Sequence, residues 1–211
     1  MQCSFQKILP LLNEIMKKMF RHIVMVAVAM LALSSLTSCN YNSLVEKREN
    51  ADQQWAQVEN VYQRRADLIP NLVNTVKGYA SHESETLQAV VEARAKATSI
   101  NIDPKNLDEA SLKKFQDAQG ELSAALGKLL AVTEAYPDLK ANQNFMALQA
   151  QLEGTENRIA TERKRYTEAV RDYNVAIKKF PTTIYAGWFG FEEMPQFKAE
   201  AGAEKAPEVK F

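Results

Sequence analysis

Residues 67–94 read DLIPNLVNTVKGYASHESETLQAVVEAR. Leu72, Val73, Val76 and Tyr79 recur at helical spacing, and so do Leu87, Val90 and Val91. Pro70 interrupts the first run, and Gly78 to Glu83 reads as a turn that reverses the chain. Two helices in a hairpin are therefore expected, and the long segments on either side must pack around them. Ser81, Ser84 and Glu85 offer N-caps and a first-turn acid for the second helix. Pro70 removes a backbone donor. A kink is favoured there, because the apolar face keeps its phase across the proline; a full break with Pro70 in the first turn of a new helix is the other reading.

Upstream, Leu44, Ala51, Trp55, Val58, Tyr62 and Ile69 follow one helical face over residues 44–69. Arg48 and Arg65 fall on or beside that face. They read as side chains that snorkel or pair with a Glu on a neighbouring helix, with binding of an acidic partner as the functional alternative. Downstream, the second helix is expected to reach about Thr98, and a polar connection containing Pro104 follows. A third helix is expected over about 108–135, with the stripe Leu112, Phe115, Gln119, Leu122, Leu126, Leu129, Thr133 and Tyr136. Pro137 ends it. A fourth is expected over about 138–179. Its stripe runs from Phe145 through Leu152, Thr155, Ile159, Tyr166 and Tyr173 to Ile177 and Phe180, in the alternating steps of a coiled-coil seam. The fold class is all-α: an antiparallel, elongated four-helix bundle with coiled-coil-like packing, its first helix kinked at Pro70.

The N-terminus reads as a targeting segment. Lys17, Lys18 and Arg21 precede an apolar run, Ile23–Leu36, shorter than the roughly 20 residues of an ordinary membrane span. Leu36-Thr37-Ser38-Cys39 then resembles a bacterial lipobox. Residues 1–38 are expected to be a lipoprotein signal peptide, with the true start possible at Met16, and Cys39 to be lipidated. A retained signal anchor, or a buried thiol at Cys39, is the alternative. Cys3 leaves with the signal, so no cysteine remains for a disulfide or metal. The body is expected at 39–197, with 198–211 a charged, Ala-rich disordered tail.

The 211 residues carry 26 basic and 26 acidic side chains. Residues 1–38 hold four and one of these, leaving 22 and 25, a net of −3. A mildly acidic body is a poor nucleic-acid binder.

YNSLV at 41–45, DLIPNLVNTVKGYASHE at 67–83, LLAVTEAYPDLKANQNFMALQAQLEGTENRIATERKRY at 129–166, YNVAI at 173–177 and FPTTI at 180–184 resemble the LemA family. The resemblance runs from about Tyr41 to Phe191. It implies a helical bundle tethered to the bacterial envelope with no established enzymatic activity, and it supplies no catalytic residue. Many members carry an N-terminal membrane helix, whereas this chain carries a lipobox.

No catalytic, cofactor or metal constellation is found. His22 lies in the signal, and His82-Glu83 lacks the second histidine of a zinc-protease motif. Glu156-Asn157-Arg158, mid-helix, is a candidate polar patch, with a hydrogen bond inside the bundle or a solvated face as the plainer reading. Helix lengths of roughly 57 and 63 Å for the first and fourth helices match. Short connections then send the chain back to its lipidated end. Trp188, Phe189 and Phe191 are expected there, near Tyr41 and Leu44, either capping the bundle or forming a candidate membrane or partner surface. The expected function is a non-enzymatic scaffold or adaptor outside the cytoplasm, held to the membrane through Cys39 and bound to an unidentified envelope protein. The alternative is an accessory subunit of an envelope enzyme or protease complex whose site is assembled with a partner.

Overall fold

The structure, a computed structural model, describes residues 5–198, and among them there is helix and no strand. The chain divides into two compact units, Met1–Glu46 and Lys47–Phe211. The first is helical backbone from Phe5 onward, and Met16, Phe20 and Ile23 on it are exposed. The side chain of Cys39 lies outside the described residues, and so does the expected tail after Lys198.

Helix α1 spans Phe5–Lys77, α2 Ser84–Ser99, α3 Glu109–Thr133, α4 Pro137–Lys140, α5 Gln143–Lys178 and α6 Thr182–Tyr185. Helix α1 continues through Pro70. A proline cannot donate to the carbonyl four residues back, which here is Ala66. Arg94 on α2 supplies the donor instead: its Nε lies 2.7 Å from the Ala66 oxygen. The proline is tolerated because the neighbouring helix satisfies the carbonyl it strands.

The turn at 78–83 is where the periodicity places it. The capping differs. Neither Ser81 nor Ser84 caps α2; Glu83 holds the N-cap position without a side-chain bond to the helix's own N–H groups. Helix α3 has the stronger start: Asp108 Oδ1 accepts from Ser111 N at 2.7 Å and Asp108 N donates to Ser111 Oγ at 3.0 Å. Hydrogen bonding from Ser111, by its side chain first and then its backbone N–H, stabilises the ionised Asp108 carboxylate and holds its pKa below the ordinary value. The fourth expected helix is two. Tyr136–Lys140 forms one turn, and Asn142 then opens α5 by accepting from Asn144 N and Phe145 N at 2.9 and 3.1 Å. Two start signals five residues apart, Pro137 and Asn142, gave two starts.

Partners along the second unit order the helices. Trp55 meets Tyr166, Arg65 meets Glu156, and Tyr79 accepts from Asn142, so α1 and α5 count in opposite senses. Lys96 pairs with Glu121 and Glu83 with Tyr136, so α2 and α3 do too. Ile69, Leu72 and Val76 of α1, Leu87 and Val90 of α2, Leu122, Leu126 and Leu129 of α3, and Phe145 and Leu152 of α5 share one buried cluster. Each such side chain contributes about 1.5–3 kcal/mol of burial. The predicted stripes of α3 and α5 are buried at nearly every position, while Phe180 is 81% exposed and so ends the seam at Ile177.

An aromatic layer lies further along α1. Trp55 meets Phe115 and Tyr166 edge-on, with ring centroids 5.4 and 5.3 Å apart, and stacks on Phe197 at 6.0 Å. Phe197 belongs to a C-terminal strap. After α6 and a 3-10 turn, Gly190 takes φ +74° and the chain doubles back along α5. Asn174 Nδ2 donates to Met194 O at 2.8 Å, and Met194 N donates to Asn174 Oδ1 at 3.0 Å. Tyr166 Oη donates to Pro195 O at 2.9 Å, and Arg163 sits 4.6 Å over the Phe197 ring.

Candidate functional site

Between the apolar cluster and the aromatic layer sits a buried cation. Arg65 is 1% exposed. Nη1 donates to Ser123 Oγ at 2.8 Å and to Glu156 Oε1 at 2.7 Å, and Nη2 donates to Gln119 Oε1 at 2.5 Å and to Gln119 O at 3.2 Å. The guanidinium lies 5.1 Å from the Tyr62 ring. Helices α1, α3 and α5 thus converge on one side chain, and its terminal N–H groups are all used in packing. Glu156, half exposed, supplies the countercharge.

This network places the proposed polar patch. Glu156 faces Arg65; Asn157 lines the groove between α3 and α5; Arg158 is exposed and joins neither. A small cavity of about 60 Å³ lies beside Arg65, lined by Gln116, Gln119, Gly120, Ser123, Ile159 and Arg163 among others. It meets, at Ser123 and Glu156, a larger groove of about 430 Å³ floored by Leu126, Leu130 and Leu152 and edged by Gln149, Glu153 and Asn157.

At the foot of α5 the aromatics are displayed. Trp188 is 82% exposed and Phe189 60%, beside Phe180 and Ile184; Phe191 is half-buried. Tyr185 beneath them is buried and meets Phe189 edge-on at 6.2 Å. Elsewhere, Arg48 pairs with Asp52 at 3.5 Å and lies 5.7 Å from the Tyr173 ring. Burial pushes the Asp52 and Glu59 carboxyls above their ordinary values. His82 is exposed, and among the described residues no three His, Cys, Asp or Glu side chains gather to hold a metal. No described helix is long and apolar enough to cross a membrane.

Sequence reasoning expected Arg65 to pair with a Glu on a neighbouring helix, and Glu156 is that residue; it missed Gln119 as a second partner and Phe197 as a core ring. Gln119 carried a signal, since a polar residue on an otherwise apolar stripe needs a partner opposite. Phe197 carried none, because an extended strap has no helical period.

Among the described residues the protein is all helical, with the Arg65 network joining three helices and with a groove and an aromatic end lying open. The chain belongs to the LemA family, whose profile matches residues 54–211. It is similar to the magnetosome protein MamQ of Magnetospirillum gryphiswaldense, 29% identical over 195 residues, covering 82% of this chain and 71% of that one. It is likewise similar to MamQ 2 of Paramagnetospirillum magneticum, at 29% identity, 78% and 66% covered. Protein LemA of Metamycoplasma hominis is 22% identical, with 70% and 60% covered.

Proposed function

We propose that this chain is a lipid-anchored, non-enzymatic scaffold or adaptor of the bacterial cell envelope. In this reading the second unit is an antiparallel four-helix bundle kinked at Pro70, Cys39 carries the lipid, and the aromatic end meets a membrane or an envelope protein. The observation that carries it is the display of Phe180, Ile184, Trp188 and Phe189 at one end, all more than half exposed. Folding leaves large apolar side chains clustered in water where they meet a partner or a lipid interface. The spending of the Arg65 network on packing supports a structural role over a catalytic one.

The test is tryptophan fluorescence of the full chain in a Trp55→Phe background, so that Trp188 alone reports. Addition of phospholipid vesicles shifts its emission to the blue if the aromatic end enters the interface. An emission maximum that stays at its water-exposed value overturns membrane contact by this surface.

A further inference from the structure

The surface between α3 and α5 is one face in two halves. Phe115 and Tyr166 both meet Trp55, and Ser123 and Glu156 both accept from Arg65 Nη1, so α3 and α5 run past each other in opposite senses. Gly120 and Ala160 fall between those two levels. Toward the end of α5 the strap fills the space between the helices. Met194 is held by Asn174, Pro195 O accepts from Tyr166, and Lys198 O accepts from Gln116 Nε2 at 3.3 Å. Toward the start of α5 the groove of about 430 Å³ lies open over Leu126, Leu130 and Leu152.

The charges divide at the same level. Before Ala160, the exposed side chains with which α5 borders the groove include Gln149, Glu153 and Glu156. After it, the same helical face carries Lys164, Thr167 and Arg171, since neighbours three and four apart share a face. The spacing is symmetric about Ala160: Glu156 and Lys164 stand four residues either side, Glu153 and Thr167 seven, Gln149 and Arg171 eleven. Lys164 reaches Glu168 only at 3.9 Å, and Arg171 makes no ion pair among the described residues.

Where the halves meet, the surface is clear of large side chains. A Cβ built on Gly120 meets nothing within 4 Å, nor does one on Gly127 in the open half, and Ala160 is exposed. Glycine is a poor helix former, and no described neighbour requires either one. Small side chains let a further helix approach to the near end of the usual range of about 8–10 Å. A face that is hollow and acidic at one end, filled and basic at the other, is complementary to itself turned end for end. A two-fold axis is the operation that turns it.

We propose that the α3–α5 groove is the interface of a homodimer, in which a second copy lays its α5 antiparallel across the first about a two-fold axis at Ala160. The strap half of each copy seats over the open half of the other. Glu153 and Glu156 then face Lys164 and Arg171 of the other copy, and each pairing occurs twice. The charges fix the orientation, because a parallel arrangement sets Glu156 against its own copy.

The test is crosslinking of the purified full chain carrying Ala160→Cys with a short bismaleimide, read against the parent chain, which accounts for Cys3 and Cys39. The two-fold axis sets position 160 against itself, so a species of twice the monomer mass joined through 160 is expected. Glu92→Cys, exposed on α2, is expected to give none above the parent. Equal yields from positions 160 and 92 overturn the proposal. So does a chain that gives no dimer through 160, the result if the groove belongs to a different partner or to a segment of the same chain. In the Ala160→Cys chain, Lys164→Glu is expected to raise the concentration at half-maximal yield about tenfold, since like charges replace opposite ones at two symmetric places. Gln149→Glu, which sets a carboxylate against Arg171 of the other copy, is expected to lower that concentration, and Gln149→Lys to raise it. Two Gln149 variants that move it the same way, or not at all, overturn the register.

Discussion

Arg94 shows how one side chain lets a sequence keep a residue that its local structure rejects. The Ala66 carbonyl has lost its helical donor to Pro70 and recovers one from Arg94. Arg94→Leu is expected to cost about 1–2 kcal/mol, the price of an unpaired carbonyl. In a Pro70→Ala background the backbone donor returns, and the same change costs less; a double-mutant cycle by urea unfolding measures the coupling. Arg65 makes the converse case. Glu156→Ala leaves a buried guanidinium without its countercharge, at about 2 kcal/mol, below the 3–5 of a fully buried pair because Glu156 is half exposed. Adding Arg65→Met is expected to return most of that stability, checked by thermal melting. Asp52 sets a pH dependence. Burial raises its folded pKa above its unfolded value near the ordinary Asp value of about 3.9. In the window between the two, the folded state holds a proton that the unfolded chain has lost. Stability from this group is therefore full below the window and falls as pH rises through it. Asp52→Asn lacks that fall, so its stability relative to the parent rises from about pH 4 upward; parallel curves in a urea series refute it.

At the scale of elements, the strap takes over where α2 stops. Helix α2 ends at Ser99, and Gln119 of α3 reaches the Ala97 carbonyl at that level. The aromatic layer beyond is completed by Phe197 and Met194 instead of by a helix. Phe197→Ala is expected to cost about 2–3 kcal/mol, less than a fully buried ring, and to weaken the near-ultraviolet dichroism of Trp55. A variant with parental melting and an unchanged Trp55 signal refutes the strap's share in the core. The helices were legible in the sequence because burial of one face imposes a period, and Leu112 to Thr133 follow it without a lapse. The strap was not, since its contacts are set by three helices that lie far off in the chain. Arg65 was half legible: its place on an apolar face was visible, but its partners sit on α3 and α5, and spacing along α1 says nothing about them.

For the whole molecule, anchoring is the property that tests the proposed role most directly. Mass spectrometry of the membrane fraction is expected to find a mature N-terminus at Cys39 bearing acyl chains, since two chains hold a protein where one is marginal. Cys39→Ser is expected to leave the precursor uncleaved and unacylated. A mature terminus elsewhere, or an unmodified Cys39, removes the lipid anchor from the proposal. The strap has a further consequence, in the order in which the chain is made. Trp55 leaves the ribosome early, yet its stacking partner Phe197 follows 142 residues later. At synthesis rates of about 5–20 residues per second, that interval is roughly 7–28 s. Over that interval α2, α3 and α5 are made in turn and complete the apolar cluster, while the ring system around Trp55 still lacks Phe197. An unfinished chain thus carries an aromatic seam at Trp55 that Phe197 covers only near the end of synthesis.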